Sequence, residues 1–257
     1  MGTLKLKYME KTIGEYSHYC VPLIQFKEFN SSILDLGDMS KEGEYFEALA
    51  AIFDLEAFTS FCNQIDPHLV IPEYLNKFLD WLFSAISREF MKRTYRKDAV
   101  LWCHLPFYAK FLGDGVLFIW DTRNIEHYNL GNIVISLLDI CKDYEQSFLP
   151  EIRKSVSKPP IKLRCGIARG QIISVGDGRD FVGPCINVAA RLQKIGQFSF
   201  AFSKRGFNFD KCFNDTGRSF FTLVRSSIRG VGDEELYYVR KDDFESLPDE
   251  DKDNLLP

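Results

Sequence analysis

The sequence predicts an α+β or α/β fold, in which one β-sheet packs against helices. Three observations support this fold class: a continuous apolar run, two apolar segments joined by Gly-Asp-Gly, and two segments with helical periodicity. The length of 257 residues and the 46% apolar content are sufficient for a packed core. No internal repeat or low-complexity block indicates another architecture.

The first part of the chain has little regular pattern. Residues 1–44 mix apolar and charged residues without a sustained period, and residues 31–45 have the Gly, Ser and Asp content of a loop or linker. We interpret residues 1–44 as an N-terminal extension and residues 45–240 as the folded domain. Residues 241–257 form an acidic C-terminal tail, which we expect to be mobile.

The folded domain begins with the apolar run FEALAAIFDL at residues 46–55. Its length and continuity predict a buried strand, although a short helix has the same pattern. A helix follows, in which Pro72 is compatible with the first turn and apolar residues recur at spacings of three and four up to Ile86. We interpret its charged end, residues 88–98, as a solvated last turn and loop rather than a nucleic-acid patch.

Two apolar segments joined by Gly-Asp-Gly at residues 107–121 predict a β-hairpin. An amphipathic helix is predicted at residues 127–149. Residues 161–178 predict a strand, a turn at a glycine and a second strand. Residues 183–197 predict a helix that Gly-Pro opens and Gly196 closes. Further strands are predicted at residues 198–203, 218–226 and 235–241.

Composition excludes several classes of function. With 32 basic and 36 acidic residues, the chain has no broad attraction for nucleic acid or an anionic membrane, so any phosphate must be bound locally. Seven cysteines without a Cys-x-x-Cys pair predict neither a disulfide framework nor a zinc site, and we expect a reducing cytoplasm. We expect no membrane insertion, because no signal-peptide pattern and no apolar run of about 20 residues is present.

Two carboxylates lie at predicted strand ends. Asp54 interrupts the end of the apolar run, where a buried carboxylate is costly unless a cation or hydrogen bonds compensate it. Asp114 lies in the hairpin turn, so the two carboxylates meet if the hairpin pairs with the strand that ends at Asp54. Such a pair suits Mg²⁺ or Mn²⁺, and Mg²⁺ takes few protein oxygens together with substrate phosphates. The alternatives are that Gly-Asp-Gly is a plain turn and that Asp54 caps the next helix.

The helix predicted at residues 183–197 carries Asn187 and Arg191 at i, i+4, on one face. An amide and a guanidinium in this arrangement can bind a ribose and stabilise charge on a reacting phosphate. The alternative is a surface salt bridge on a polar helix face.

Four motifs in order, FDLEAFTSF, KFLGDGVLFIW, LRCGIARGQIISVG and DFVGPCINVAARL, resemble the catalytic domain of class III nucleotidyl cyclases. The resemblance covers residues about 45–240. It implies a ferredoxin-like α+β fold with a mixed sheet and a head-to-tail homodimer with two composite active sites. In such a dimer one subunit supplies the metal carboxylates and the other supplies the helix that stabilises the transition state.

The resemblance also implies roles for single residues. Asp54 and Asp114 match the metal-binding aspartates, with Leu55 as a further metal position. Asn187 matches the asparagine that orients the ribose, and Arg191 matches the transition-state arginine. Two Mg²⁺ or Mn²⁺ ions per site would support in-line attack of the 3′-hydroxyl on the α-phosphorus, with pyrophosphate as the leaving group.

Other positions match contacts to the nucleotide. Lys110 matches the base-selecting lysine, Asp180 matches its aspartate partner, and Phe181 would border the base pocket. The resemblance also assigns substrate contacts to Phe58 and Thr59, where the helix after Asp54 begins. Two positions depart from the family: Ala57 replaces a common glycine, and Glu235 replaces a triphosphate-binding lysine of some relatives, whose role would pass to Arg229.

The choice of base rests on resemblance alone. The short architecture and residues 45–69 resemble bacterial pyrimidine cyclases of antiphage defence, so we expect UTP ahead of CTP as substrate and a separate effector protein that senses the product. Lys110 and Asp180 by themselves favour ATP, so an adenylate or guanylate cyclase is the alternative. A non-catalytic nucleotide-binding module is disfavoured by retention of the four motif residues, and a polymerase palm is disfavoured by the lack of a basic surface.

Overall fold

The computed structural model describes residues 6–96, 99–102 and 104–257. The strands are β1 (Met9–Ile13), β2 (Tyr16–Cys20), β3 (Tyr45–Leu55), β4 (Met91–Arg96), β5 (Ala99–Trp102), β6 (Tyr108–Phe111), β7 (Gly115–Asp121), β8 (Leu163–Val175), β9 (Asp180–Val182), β10 (Phe200–Ser203), β11 (Phe221–Ile228) and β12 (Gly232–Arg240). The helices are α1 (Leu23–Lys27), α2 (Phe58–Cys62), α3 (Pro67–Phe90), α4 (His127–Asp143), α5 (Leu149–Ile152), α6 (Pro184–Leu192), α7 (Phe209–Cys212), α8 (Asp215–Arg218), α9 (Lys241–Glu245) and α10 (Asp249–Leu255). A 3-10 turn occupies Ser31–Leu34, and a π-helical turn at Tyr144–Phe148 joins α4 to α5.

The chain divides into two compact units. The first consists of the described residues up to Tyr45 together with Ile173–Val182. The second consists of Phe46–Ile172 and Gly183–Pro257. Residues 173–182 therefore group with the N-terminal segment rather than with the rest of the folded domain.

One mixed sheet organises the second unit, in the order β11-β12-β10-β8-β3-β7-β6. Strands β8 and β10 are parallel, whereas β7 is antiparallel to both β3 and β6. Helices α3 and α4 bury their apolar sides in the main core on one face of the sheet. A second core on the other face contains apolar side chains of α6, α9 and α10. The sheet between helices confirms the α+β fold class.

Most predicted elements are present. The apolar run at residues 46–55 is a strand and not a helix, the hairpin is formed by β6 and β7, and the helices predicted at residues 127–149 and 183–197 begin at His127 and Pro184. The three predicted C-terminal strands correspond to β10, β11 and β12.

Several boundaries differ from the prediction, and α6 ends at Leu192, before the Gly196 that was expected to close it. Helix α3 begins at Pro67, so Pro72 lies inside it and not in its first turn. Residues 88–98 do not form a last turn and loop, because the helix ends at Phe90 and Met91–Arg96 is a strand paired with β5. Residues 97 and 98 of that segment lie outside the described residues.

The acidic C-terminal segment is folded, so the expectation that it is mobile was wrong. It forms α9 and α10, whose residues Phe244 and Leu255 are buried in the second core. The carboxylate of Asp243 accepts hydrogen bonds from the backbone N–H and the hydroxyl of Ser199, at 2.6 and 2.5 Å. Apolar side chains spaced along a charged segment therefore supply enough burial to order it.

The first unit has almost no core of its own. Strands β1 and β2 form an antiparallel hairpin, and none of the described residues before Phe46 is buried. Its polar contacts hold the N-terminal segment on residues 173–179: Ser174 Oγ accepts from the N–H of Glu44 at 2.8 Å, and Arg179 donates to Asp35 at 2.7 Å. The segment predicted to be a loop or linker is therefore attached by specific hydrogen bonds.

Among the described residues, no helix combines the length and the hydropathy needed to span a bilayer.

Strand β8 is continuous through Gly170, so the turn predicted there is absent. Glycine serves close packing in this strand instead. A Cβ atom at Gly166 would lie 2.2 Å from the carbonyl oxygen of Ala189 and 2.4 Å from the backbone nitrogen of Gln193. Helix α6 can therefore approach β8 only because residue 166 has no side chain.

We expect Gly166→Ala to lower the free energy of unfolding by about 2 kcal/mol or more, because the added methyl meets immobile backbone atoms of α6. Urea denaturation measures the change. The matched control is Gly196→Ala, where no atom lies within 4 Å of the added Cβ. Equal stability of the two variants would contradict the packing argument.

Candidate active site

Asp54 is the penultimate residue of β3 and is only 5% exposed. The β3–β7 register pairs it with Gly115, and the N–H of Leu55 donates to the carbonyl oxygen of Asp114 at 2.9 Å. The structure thus brings Asp54 and Asp114 to the same end of two neighbouring strands, as the hairpin predicted.

The two glycines around Asp114 have different structural roles. Gly113 has a φ of +101°, which favours glycine. A Cβ atom at Gly115 would lie 2.0 Å from the carbonyl oxygen of Phe53, so only glycine allows β7 to pair this closely with β3. The tripeptide therefore both turns the chain and sets Asp114, whose side chain is exposed, beside the buried Asp54.

Arg164 is the residue that compensates the buried carboxylate, and sequence reasoning missed it. It lies in β8, which neighbours β3, and its Nη2 and Nε atoms donate to Oδ2 of Asp54 at 2.5 and 3.2 Å. The available signal was an arginine among the apolar residues at the beginning of a predicted strand. The pKa of Asp54 is raised, because burial outweighs the opposing effect of Arg164 and the nearby charge of Asp114 adds to it.

Asp54 does not cap the following helix. The N-cap of α2 is Ala57, which has left-handed backbone angles (φ 59°, ψ 25°) and makes no side-chain cap hydrogen bond. In the class III cyclases that the sequence resembles, glycine is common at this position. The left-handed φ explains that preference, because glycine adopts this conformation without strain. The capping alternative for Asp54 was therefore wrong.

The carboxylates at this end fit a divalent cation. Both hydrogen bonds from Arg164 go to Oδ2, which leaves Oδ1 of Asp54 for another ligand. Carboxylate oxygens are the hard donors that Mg²⁺ and Mn²⁺ prefer. The described part of the chain holds no group of three or more His, Cys, Asp or Glu side chains suited to a metal, so water and phosphate would complete the coordination.

Other predicted residues lie near the beginning of α2 and on β6. The side chain of Leu55 is buried, so only its backbone is available to a ligand. Phe58 is half-buried and packs on Phe61 with ring centroids 5.6 Å apart, whereas Thr59 is exposed. Lys110 is half-buried in β6, opposite Leu117 of β7.

Helix α6 presents Asn187 and Arg191 to solvent, while Cys185, Ala189 and Leu192 form its buried side. Arg191 has no ion-pair partner among the residues that the structure describes, so the surface salt bridge of the alternative is not formed, whereas its exposed polar helix face is present. Both side chains are accessible to a ligand or to another subunit.

Asp180 and Phe181 belong to β9 in the first unit, where Asp180 pairs with Val175. The carboxylate of Asp180 accepts a hydrogen bond from the N–H of Phe181 at 2.9 Å. The other predicted site residues belong to the second unit.

Arg229 is exposed in the turn between β11 and β12. Glu235 is buried and forms an ion pair with Arg205, whose side chain is 71% exposed. Glu235 shares its sheet face with Tyr237, which is buried in the core beneath α6. Sequence reasoning missed Arg205, an exposed guanidinium anchored on the same face as α6.

We expect Arg164→Ala to lower the free energy of unfolding by about 2–3 kcal/mol, because it leaves the Asp54 carboxylate buried without its cation. In the background of Asp54→Asn the same change should cost clearly less, since a neutral amide needs no counter-charge. Urea denaturation of the four proteins gives this double-mutant cycle. Lys154→Ala, which breaks an exposed pair with Glu151, is the control and should cost less than about 0.5 kcal/mol. Purely additive effects at Asp54 and Arg164 would contradict the compensating role.

Solved cyclases share this fold. The adenylyl cyclase CyaB from P. aeruginosa aligns with a TM-score of 0.57 and 14% identity, over 78% of this chain and 96% of that chain. The guanylyl cyclase Cya2 aligns with a TM-score of 0.56 and 15% identity, over 78% and 94%. The dimeric guanylyl cyclase domain of the RhoGC fusion protein from the fungus Blastocladiella emersonii gives 0.50 and 17%, over 78% and 98%. Neither a protein-family model nor a curated protein matches the sequence. The chain therefore has the α+β fold of adenylyl and guanylyl cyclase domains.

Proposed function

We propose that the protein is a nucleotidyl cyclase that converts a pyrimidine nucleoside triphosphate, UTP ahead of CTP, to its 3′,5′-cyclic monophosphate and pyrophosphate. The observation that carries the cyclase proposal is the juxtaposition of Asp54 and Asp114 at one strand end, in a fold shared with adenylyl and guanylyl cyclases. The buried and the exposed carboxylate can both bind a divalent cation, and phosphate oxygens of the substrate can complete its coordination.

Asp54, Asp114 and the backbone of Leu55 would hold two Mg²⁺ or Mn²⁺ ions. When bound, such ions neutralise the triphosphate charge and lower the pKa of the 3′-hydroxyl. The 3′-hydroxyl gives its proton to solvent water, its oxygen attacks the α-phosphorus in line, and the bond between the α-phosphorus and the oxygen bridging to the β-phosphate breaks to release pyrophosphate. Phe58 and Thr59 contact the substrate where α2 begins.

The remaining roles belong to the exposed side of α6. The Asn187 amide holds the ribose in the orientation for attack. The planar fork of Arg191 stabilises the charge that develops on the phosphate, an effect worth about 2.7–4 kcal/mol for a typical donor of this kind. Arg229 and Arg205 each supply a guanidinium to the triphosphate, and Glu235 holds Arg205 on the same sheet face as α6.

We further propose a homodimer with two composite sites. In the described residues of a single chain, no hydrogen bond or ion pair joins Asn187 or Arg191 to Asp54 or Asp114. In this proposal the exposed polar side of α6 completes the site of a second subunit. One subunit supplies the carboxylates, and its partner supplies the helix.

We assign base recognition to Lys110, Asp180 and Phe181, because the resemblance of the sequence motifs implies it. The pyrimidine assignment rests on the resemblance of residues 45–69 to bacterial antiphage cyclases, and hydrogen-bond donors left unpaired by the wrong base would exclude purines. The second candidate is a purine cyclase. It is favoured by the activities of CyaB and Cya2, which are an adenylyl and a guanylyl cyclase, and by the residue types at positions 110 and 180.

In this proposal residues 45–240 are the catalytic domain, with residues 1–44 and 241–257 as extensions. The enzyme works in the cytoplasm without nucleic acid or membrane insertion. Its product is a second messenger of antiphage defence that a separate effector protein senses.

Incubation with equal concentrations of UTP, CTP, ATP and GTP and with Mn²⁺, followed by chromatography of the products, tests the proposal. We expect cyclic UMP to dominate. Asp54→Ala and Asp114→Ala should each abolish product formation with the fold retained, because each removes a metal ligand. Asp139→Ala, at a half-exposed carboxylate on α4, is the matched control and should keep full activity.

The possible outcomes separate two levels of the proposal. Cyclic AMP or cyclic GMP as the main product would overturn the pyrimidine assignment and leave the cyclase assignment standing. Undiminished activity of either aspartate variant, with the change verified by mass spectrometry, would overturn the metal assignment.

The composite site predicts complementation between inactive chains. Asp54→Ala mixed with Arg191→Ala should regain activity, because one of the two sites in the heterodimer contains both intact halves. Arg205→Ala should complement Asp54→Ala in the same way, but not Arg191→Ala, which damages the same half. Failure to complement in heterodimers isolated with two different affinity tags would indicate sites built within one chain.

A further inference from the structure

A cavity of about 710 Å³ lies beside α2, on the side of residues 56–64 and 153–161. Its volume is in the range of sites for small molecules. Most of its lining surface is apolar and contains a few polar groups, as is usual in such sites. Its lining includes Glu56, Ala57, Ser60, Phe61, Arg153 and Lys158.

Hydrogen bonds hold the two walls of the cavity together. The N–H of Glu56 donates to the carbonyl oxygen of Lys162 at 3.0 Å. The side-chain amide of Gln64 donates to the carbonyl oxygens of Phe61 and Lys158, at 3.1 and 3.3 Å. The wall formed by α2 and the wall formed by the loop before β8 are therefore fixed relative to each other.

A buried chain of hydroxyl groups supports the loop wall from behind. The hydroxyl of Tyr144 donates to the carbonyl oxygen of Pro160 at 2.5 Å, and the hydroxyls of Tyr74 and Tyr144 are 2.8 Å apart. Tyr74 also packs on Phe61, which lines the cavity, with ring centroids 4.9 Å apart. The cavity is thus preformed and backed by the main core.

Both walls contain a non-glycine residue with left-handed backbone angles. Ala57 has a φ of 59° and Lys158 a φ of 47°. This conformation costs an L-residue free energy, and such strain concentrates at functional sites. Surrounding packing therefore holds two strained residues on opposite sides of one cavity.

The charge of the cavity favours an anion. Arg153 and Lys158 are exposed at its rim, and neither has an ion-pair partner among the residues that the structure describes. Among the described residues, Glu56 is the only carboxylate in the lining. Two cations above a floor that includes the aromatic ring of Phe61 suit a ligand with an anionic group and a planar apolar body.

We propose that this cavity binds a small molecule that combines a phosphate or carboxylate group with a planar apolar ring, at a site separate from the nucleoside triphosphate. The occupant contacts Glu56 and Ala57, which follow Leu55 and Asp54 directly in the chain. If the proposed function holds, on which this second part rests, the occupant changes the metal requirement of the cyclase by shifting the turn after Asp54.

Fluorescence titration with 2-naphthyl phosphate, in the absence of divalent metal, tests the binding site without any turnover. The double variant Arg153→Glu/Lys158→Glu should weaken binding by about tenfold or more, because it removes two charge-assisted contacts. Ser60→Trp should also abolish binding, since its side chain fills the cavity from the exposed rim. The control is Lys154→Glu, at an exposed lysine next to Arg153 that does not line the cavity.

Two results support the site: selective loss of affinity in both cavity variants, and weaker binding of 2-naphthol and of inorganic phosphate than of the ester. Wild-type affinity in both cavity variants, or an equal loss in Lys154→Glu, would overturn it. Circular dichroism of each variant checks that the fold is retained.

The effect of the cavity ligand on the metal requirement is measured as the Mn²⁺ concentration that gives half-maximal UTP cyclisation. We expect 2-naphthyl phosphate to shift it by about threefold or more in the wild type and not in Ser60→Trp. An unchanged requirement in the wild type would overturn the coupling but not the binding site. A protein without cyclase activity would refute the proposed function, while the titration still decides the cavity.

Discussion

The pairing of β3 with β7 places a buried carboxylate at the end of the sheet, and the surrounding structure compensates it. Asp54 would be costly in an apolar strand without the guanidinium of Arg164, which bonds to its Oδ2 atom. The compensation is incomplete, because burial and the Asp114 charge still raise the pKa of Asp54. A divalent cation would complete it. The same interaction therefore makes the strand end foldable and leaves it suited to a metal.

The exposed side of α6 depends on a second constraint, the absence of a side chain at Gly166. Backbone atoms of α6 occupy the space that a Cβ would need, so the helix lies directly on β8. This close approach orients the helix, with Ala189 against the sheet and with Asn187 and Arg191 toward solvent. The turn after Asp54 carries a comparable constraint, since Ala57 adopts a left-handed conformation that an L-residue holds only when its surroundings enforce it.

The sequence by itself determined the elements whose signals are local. Continuous apolar residues predicted β3, Gly-Asp-Gly predicted the β6–β7 hairpin, and periodicity predicted α4 and α6. The meeting of Asp54 and Asp114 could also be predicted, because a hairpin that pairs with the preceding strand has few possible registers. These features follow from backbone hydrogen bonding within a short stretch and from burial of one face.

Only the tertiary structure decided which distant residues meet. Arg164 reaches Asp54 from a strand 110 residues away, and Glu235 holds Arg205 across β12 and the end of β10. Gly170 looked like a turn, yet β8 runs through it. The acidic C-terminal segment looked solvated, yet Phe244 packs beneath the sheet. The physical reason is common to all four. The charge partner of a residue, or the surface that covers it, depends on the order and register of strands that are far apart in the chain. No local sequence pattern encodes that order.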